Sequence, residues 1–238
     1  MNYLQSLQFD FMEMLNFEEL PFRAKFIPSK VWDDLDRYKN DATGLKNYFK
    51  KWRFRITFQK EKKPTKRISV GGGYYTDEAK LELDIWTSPD TTYNKYKFTD
   101  ALWNRFKFRI IQVAMHEIIH CRQYFGKHEE FTKGKVYFKK SGIPKIDDNR
   151  EYHAGKDEIE AYAHCVYLDF KMRRPSIAVA ELIRHAKTYK VSKNLTGIQK
   201  VFQTDKHNEV IPLLLRKILT WERKYKRTER SVRASRRS

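Results

Sequence analysis

The residues best suited to chemistry are His116-Glu117-Ile118-Ile119-His120. Four residues make slightly more than one helical turn, so His116 and His120 project from one face, about 6 Å apart along the axis. Two imidazoles placed that way can hold one zinc ion, and Glu117 beside them can take a proton from zinc-bound water. The run from about Thr99 to Phe125 reads as a helix, and Ile110, Ile111, Val113, Ala114, Ile118 and Ile119 make it apolar enough to be buried. Two histidines and a glutamate are expensive in such a helix unless something such as a metal satisfies them.

A hydrolytic zinc site keeps three protein ligands and one open position, so a third ligand must come from elsewhere. The stretch Lys156 to His164 offers it. This stretch reads as a helix with Ile159, Tyr162, Ala163, Val166 and Phe170 as its core stripe, at spacings of three and four. Glu158 shares a flank with Ala161 and Cys165, whereas Glu160 points away, toward His164. Small Ala161 leaves room for a close neighbour over Glu158. Glu158 is therefore the first choice of ligand and Glu160 the second; the competing view makes both solvated carboxylates.

The pairing of HExxH with a glutamate on a later helix resembles the glutamate-ligated zincins, or gluzincins. The likeness is closest to minimal metallopeptidases encoded by bacteriophages, in which HExxHxxQ is followed by an EIEAYA-like stretch. Here it is carried by His116 to Gln123 and by Glu158 to Ala163, and it covers about residues 50–170. The resemblance implies that His116, His120 and Glu158 are zinc ligands and Glu117 the general base. It also implies that a strand just before the zinc helix, residues 74–86, lies at a sheet edge where an extended peptide can pair. Relatives with ExxAD have an aspartate where this chain has Tyr162.

A chain of 238 residues can bury a core for one enzyme-sized domain with appendages. It contains no apolar run long enough to span a bilayer. The first twenty residues carry Asp10, Glu13, Glu18 and Glu19 and no lysine or arginine, unlike a secretory signal. Cys121 and Cys165 are too few for a disulfide framework and read as reduced thiols of a cytoplasmic protein, in a host cytoplasm or a virion if phage-encoded. The net charge is +19. Residues 46–67 hold ten basic side chains and one acidic, and residues 216–238 hold ten and two, so the positive charge sits in two blocks. Such blocks suit a nucleic acid, bound without sequence preference, or form a solubilising surface.

In chain order, residues 1–20 carry Leu4, Leu7, Phe11, Met14 and Leu15 at helical spacing. Val31 to Tyr38 reads as a helix opened by Ser29, and Asp41 to Gly44 as a turn. Trp52, Phe54, Ile56 and Phe58 alternate with polar residues, the pattern of a strand, as do Leu81, Leu83 and Ile85. Gly71-Gly72-Gly73 lacks the Lys-Ser/Thr pair of a phosphate loop and reads as a bulge or bend between strands. Thr99 caps the zinc helix and Gly126 ends it. Residues 127–155 read as a loop walling the cleft, and Tyr152 and His153 within it are candidates to stabilise an oxyanion. Ile177 to Tyr189, Leu195 to Phe202 and Val210 to Tyr225 read as helices, the first two with a weak helix-turn-helix echo.

These features predict an α+β fold: a minimal zincin-like domain with a small mixed or antiparallel sheet, an HExxH helix, a glutamate helix, and helical additions at both ends. The expected parts are an N-terminal helical segment (1–45), the zincin-like domain (46–172), a C-terminal helical extension (173–225) and a disordered basic tail (226–238). The expected activity is that of a zinc-dependent metallopeptidase acting on protein or peptide, away from membranes and near nucleic acid through 46–67 and 216–238. The alternative is a nucleic-acid-binding or virion-associated protein with a structural or vestigial zinc site.

Overall fold

A computed structural model of the chain describes residues 28–65, 67–75, 80–126, 155–174, 176–185, 192–202 and 209–235. The chain divides between residues 125 and 126 into two compact units. That division falls inside the stretch 46–172, which the sequence treats as one domain. The expected N-terminal helix over 1–20 and the loop at 127–154 lie outside the described residues.

In the first unit, α1 (Pro28–Asp34) runs into a 3-10 turn, Leu35–Tyr38. The turn expected at Asp41 to Gly44 is instead the opening of α2 (Ala42–Lys50). The Asp41 carboxylate accepts from the Gly44 amide at 2.9 Å and so caps the helix. An aspartate turn and an aspartate cap begin with the same bond. Burial of Leu45, Tyr48 and Phe49 on the next turns decides for the helix.

Three strands follow: β1 (Phe54–Lys60), β2 (Ser69–Tyr75) and β3 (Lys80–Thr87). Their order is β1-β3-β2, with β1 parallel to β3 and β2 antiparallel to it, so the sheet is mixed. Two expectations are corrected here. The glycine triplet is no bend, because Gly71, Gly72 and Gly73 pair in register with Asp84, Leu83 and Glu82 inside β2. The strand nearest the HExxH helix in sequence, β3, is central, and β1 and β2 form the edges among the described residues. Alternation along one strand says which side chains point inward, but not how many neighbours the strand has.

One sheet face buries Phe54, Ile56, Val70, Leu81, Leu83 and Ile85. The other is polar: Arg55 pairs with Glu82 at 3.5 Å, and Asp84 accepts from Gln59 at 2.9 Å and from Thr57. Beyond β3, the rings of Tyr93, Phe98, Trp103 and Phe106 form a cluster, with Trp103 stacked on Phe106 at 5.4 Å. The long helix α3 (Asp100–Gly126) grows out of it. Thr99 caps it as expected, its hydroxyl accepting from the Leu102 amide at 3.3 Å. Every residue from Ile110 to Cys121 is buried.

The second unit contains α4 (Lys156–Arg173), α5 (Val179–Arg184), α6 (Lys193–Phe202) and α7 (Val210–Ser235). Every residue of α4 from Ala163 to Phe170 is buried, including the polar His164 and Asp169. Both are satisfied. His164 Nε2 lies 2.8 Å from the Tyr225 hydroxyl, and Asp169 accepts from the Ser192 hydroxyl at 2.6 Å and from the Asn194 amide at 3.0 Å. Ser192 Oγ in turn accepts from the Leu195 amide at 3.1 Å, capping α6. Helix α7 continues ten residues past Tyr225, through most of the stretch expected to be a disordered tail. Residues 226–235 contain no glycine or proline and are rich in good helix formers, so nothing local stops the helix. No helix among the described residues is long and apolar enough to cross a membrane.

Lys107, on α3, has a side chain only 4% exposed; its Nζ sits 2.8 Å from Asp36 and 4.4 Å from the centre of the Trp32 ring. Partial burial pushes the Asp36 carboxyl up, but hydrogen bonds from Lys107 and Trp103 and the charges of Lys107 and Lys39 outweigh it and hold the carboxyl below its ordinary value. A depressed carboxyl stabilises the fold above its unfolded-state value and loses that contribution as pH falls through its folded value. Asp36→Asn should therefore lower stability at neutral pH by about 1–2 kcal/mol, a buried-pair loss discounted for the exposure of Asp36. Urea melts of both proteins check this, and the gap should close as the pH is taken into the acid range.

Candidate metal centre

On α3 the residues at 116, 120 and 123 follow one stripe of the helix, and those at 113, 117 and 121 follow the next. The first stripe carries His116, His120 and Gln123. The two imidazoles are each 9% exposed, and their Nε2 atoms are 3.0 Å apart. That is close to the separation of about 3.3 Å set by two nitrogens at zinc distance in a tetrahedron. His120 Nδ1 lies 2.9 Å from Gln123 Oε1. An amide oxygen only accepts, so Nδ1 carries the proton and the lone pair of His120 is on Nε2, the atom that faces His116.

The second stripe lies along β2. A Cβ placed on Gly72 would stand 2.8 Å from Val113 Cγ1, 3.1 Å from Glu117 Cγ and 2.7 Å from the Glu82 carbonyl oxygen. Gly72 is thus glycine for space, in the middle of a regular strand. Its missing side chain is where the stem of Glu117 passes, and Glu117 is 6% exposed. One pair further along the same two elements, burial pushes the Cys121 thiol up to about 11, against the smaller opposing influence of Tyr74. Cys121 and Cys165 are both buried and form no disulfide, and the raised Cys121 thiol is protonated at neutral pH.

Glu158 lies in the first turn of α4, where the helix dipole favours its charged form. Glu160, two residues on and about 200° around the axis, faces another way. Its carboxylate takes Lys217 Nζ at 3.2 Å, and its carbonyl accepts from Trp221 Nε1 at 3.4 Å. The ligand atoms of His116, His120 and Glu158 all lie within 4.8 Å of one another. Two nitrogens and a carboxylate oxygen suit zinc, and three such donors leave a position open. Of the expected site residues, the structure thus groups His116, His120 and Glu158, and it holds Glu117 beside the histidine stripe. Tyr152 and His153 lie outside the described residues.

The sequence reading gave Gly72 no part at the site and took Gln123 only as the last residue of the HExxHxxQ likeness. Both had a signal. Gly72 occupies an inward position between Val70 and Tyr74, where a strand glycine marks a close approach, and Gln123 follows His120 by three residues, on the same stripe. No protein-family model, curated protein or solved structure matches the chain.

Gly72→Ala should lower stability by about 1–3 kcal/mol, since the added methyl meets backbone oxygen on one side and Val113 on the other. Gly73→Ala should cost less, because a Cβ there meets only the Tyr75 ring, at 3.3 Å. Urea denaturation of the two variants gives the comparison.

Proposed function

We propose that the chain is a zinc-dependent metallopeptidase of the glutamate-ligated zincin type. The observation that carries this reading is the His116–His120–Glu158 group, with ligand atoms within 4.8 Å of one another and Glu117 buried one position from His116. His116 and His120 would hold the ion through Nε2 and Glu158 through a carboxylate oxygen. A bound zinc supplies Lewis acidity and makes a coordinated water acidic near neutral pH. Glu117 accepts the proton released on attack and passes it to the leaving amine. Gln123 is a positioning residue, because its oxygen keeps the His120 proton on Nδ1 and leaves Nε2 available.

Strand β2 supports the choice of an extended peptide as substrate. Among the described residues it pairs on one side only, with β3, and its Gly72 borders Glu117. A peptide added along the other side of β2 would present its backbone close to that carboxylate, with main-chain hydrogen bonds supplying affinity.

Metal analysis and turnover separate the roles. His120→Ala and Glu158→Ala should abolish zinc binding, whereas Glu160→Ala, with its carboxylate already committed to Lys217, should retain it. Glu117→Gln should keep one zinc per chain and lose turnover of a fluorogenic peptide library by roughly 100- to 10,000-fold. Full activity in Glu117→Gln would sink the mechanism, and absence of zinc from the wild-type protein would sink the metal assignment. Gln123→Ala should weaken zinc affinity by roughly 10- to 100-fold without changing the ligand set.

A further inference from the structure

The basic block at 46–67 is not one uniform surface. Lys46 lies over the Phe58 ring at 5.4 Å, Lys51 over Tyr48 and Trp52 at 3.8 and 4.2 Å, and Arg55 pairs with Glu82. Those cations are engaged by the fold. The aromatic residues that alternate with them, Tyr48, Phe49, Trp52 and Phe54, are buried core and present no face to a ligand. In the loop after β1, Lys60, Lys62 and Lys63 are exposed close together in sequence.

This loop is tied down. The Glu61 amide donates to the Thr87 carbonyl at 2.8 Å, the Thr65 amide to Ser88 Oγ at 3.1 Å, and Lys60 Nζ to the Ser88 carbonyl at 3.3 Å. Between loop and sheet lies an open groove of about 590 Å³, within the range that takes a nucleotide-sized group. Lys60, Lys62, Lys63, Pro64 and Trp86 are among the residues that line it. The Trp86 indole is half-buried and fixed in place. Its Nε1–H donates to Gln59 Oε1 at 3.0 Å, and its six-membered ring covers Gly71 so closely that a Cβ there would stand 2.9 Å from Cζ3. The carboxylates on this sheet face, Glu82 and Asp84, are already neutralised or hydrogen-bonded by Arg55, Thr57 and Gln59. Glu61 is the one acidic side chain in the groove wall.

We infer that this groove binds single-stranded nucleic acid, with phosphates on Lys62 and Lys63 and a base stacked on Trp86. A fixed aromatic plane beside clustered lysines is the arrangement that tracks a backbone while accepting any base. A duplex keeps its base faces stacked inside and gives Trp86 nothing to receive. An acidic peptide or a lipid headgroup would use the lysines but has no need of the indole. The site is independent of the metal centre, so zinc content and turnover do not bear on it.

Polarisation of a fluorescein-labelled oligothymidylate, titrated with the full chain across a salt series, tests this directly. Binding should be stronger than to a duplex of the same length. The double variant Lys62→Ala/Lys63→Ala should lower the slope of log affinity against log salt by about 1.4, the single-strand value for two phosphate contacts. Trp86→Ala should weaken binding by roughly fivefold or more, and Trp86→Phe should recover most of it. The lysine pair is exposed, so that variant decides the question even where Trp86→Ala fails to fold. Absence of binding at low salt overturns the proposal, as does unchanged affinity in the lysine variant. Equal competition by polyglutamate or by anionic phospholipid vesicles would mean simple anion attraction and would overturn it too.

Discussion

Burying two imidazoles and a carboxylate on one helix is the constraint that shapes the first unit. From Ile110 to Cys121 helix α3 has no exposed side, so His116, Glu117 and His120 cannot turn to water for their hydrogen bonds. The cost is met locally. The two Nε2 atoms face one another at 3.0 Å, and Gln123 takes the remaining nitrogen of His120. Glu117 finds room because β2 has no side chain at Gly72. An alanine there would contest the same volume. The sheet, the helix and the acid are therefore matched at one glycine.

The second unit shows the same economy around α4. A helix buried on every side from Ala163 to Phe170 carries His164 and Asp169 because groups outside it answer them. Tyr225 of α7 meets His164 and also stacks on Tyr167 at 4.7 Å with the rings nearly parallel. Ser192 serves Asp169 and the first turn of α6 at once. Lys217 takes up Glu160, and that separates two glutamates that otherwise differ only by their position on the wheel. Buried hydrogen bonds of this kind specify which helix faces meet, since any other rotation of α4 would leave the same groups unpaired.

Positive charge is sorted by the fold in a way that a count does not reveal. Some cations of the first block lie over aromatic rings or beside carboxylates, where their stems also cover apolar surface. Lys107, outside that block, is almost fully buried and paired with Asp36. Among the described residues of the first block, Lys62 and Lys63 in the loop after β1 are presented to solvent side by side. The sheet face beside it is polar but internally neutralised, so the lysines of the loop dominate the local field.

Residue type and local spacing by themselves determined the elements. The 3.6-residue period places α3, α4 and α6, the Thr99 cap starts α3, and alternation marks β1 and β3, because these signals depend on neighbours a few positions away. The stripe of His116 and His120 was legible for the same reason, as was the separation of Glu158 from Glu160 on the helical wheel. Tertiary structure alone decided the rest. Strand order made β3 central and β2 an edge, because hydrogen bonding between strands pairs residues far apart in the chain. The glycine triplet became a strand because Asp84, Leu83 and Glu82 were there to pair with it. Trp86 became a held, half-exposed plane only through Gln59 and Gly71, which lie 27 and 15 residues away in sequence. Long-range contacts of this kind have no periodic trace in the residues that make them, and so only the folded chain reveals them.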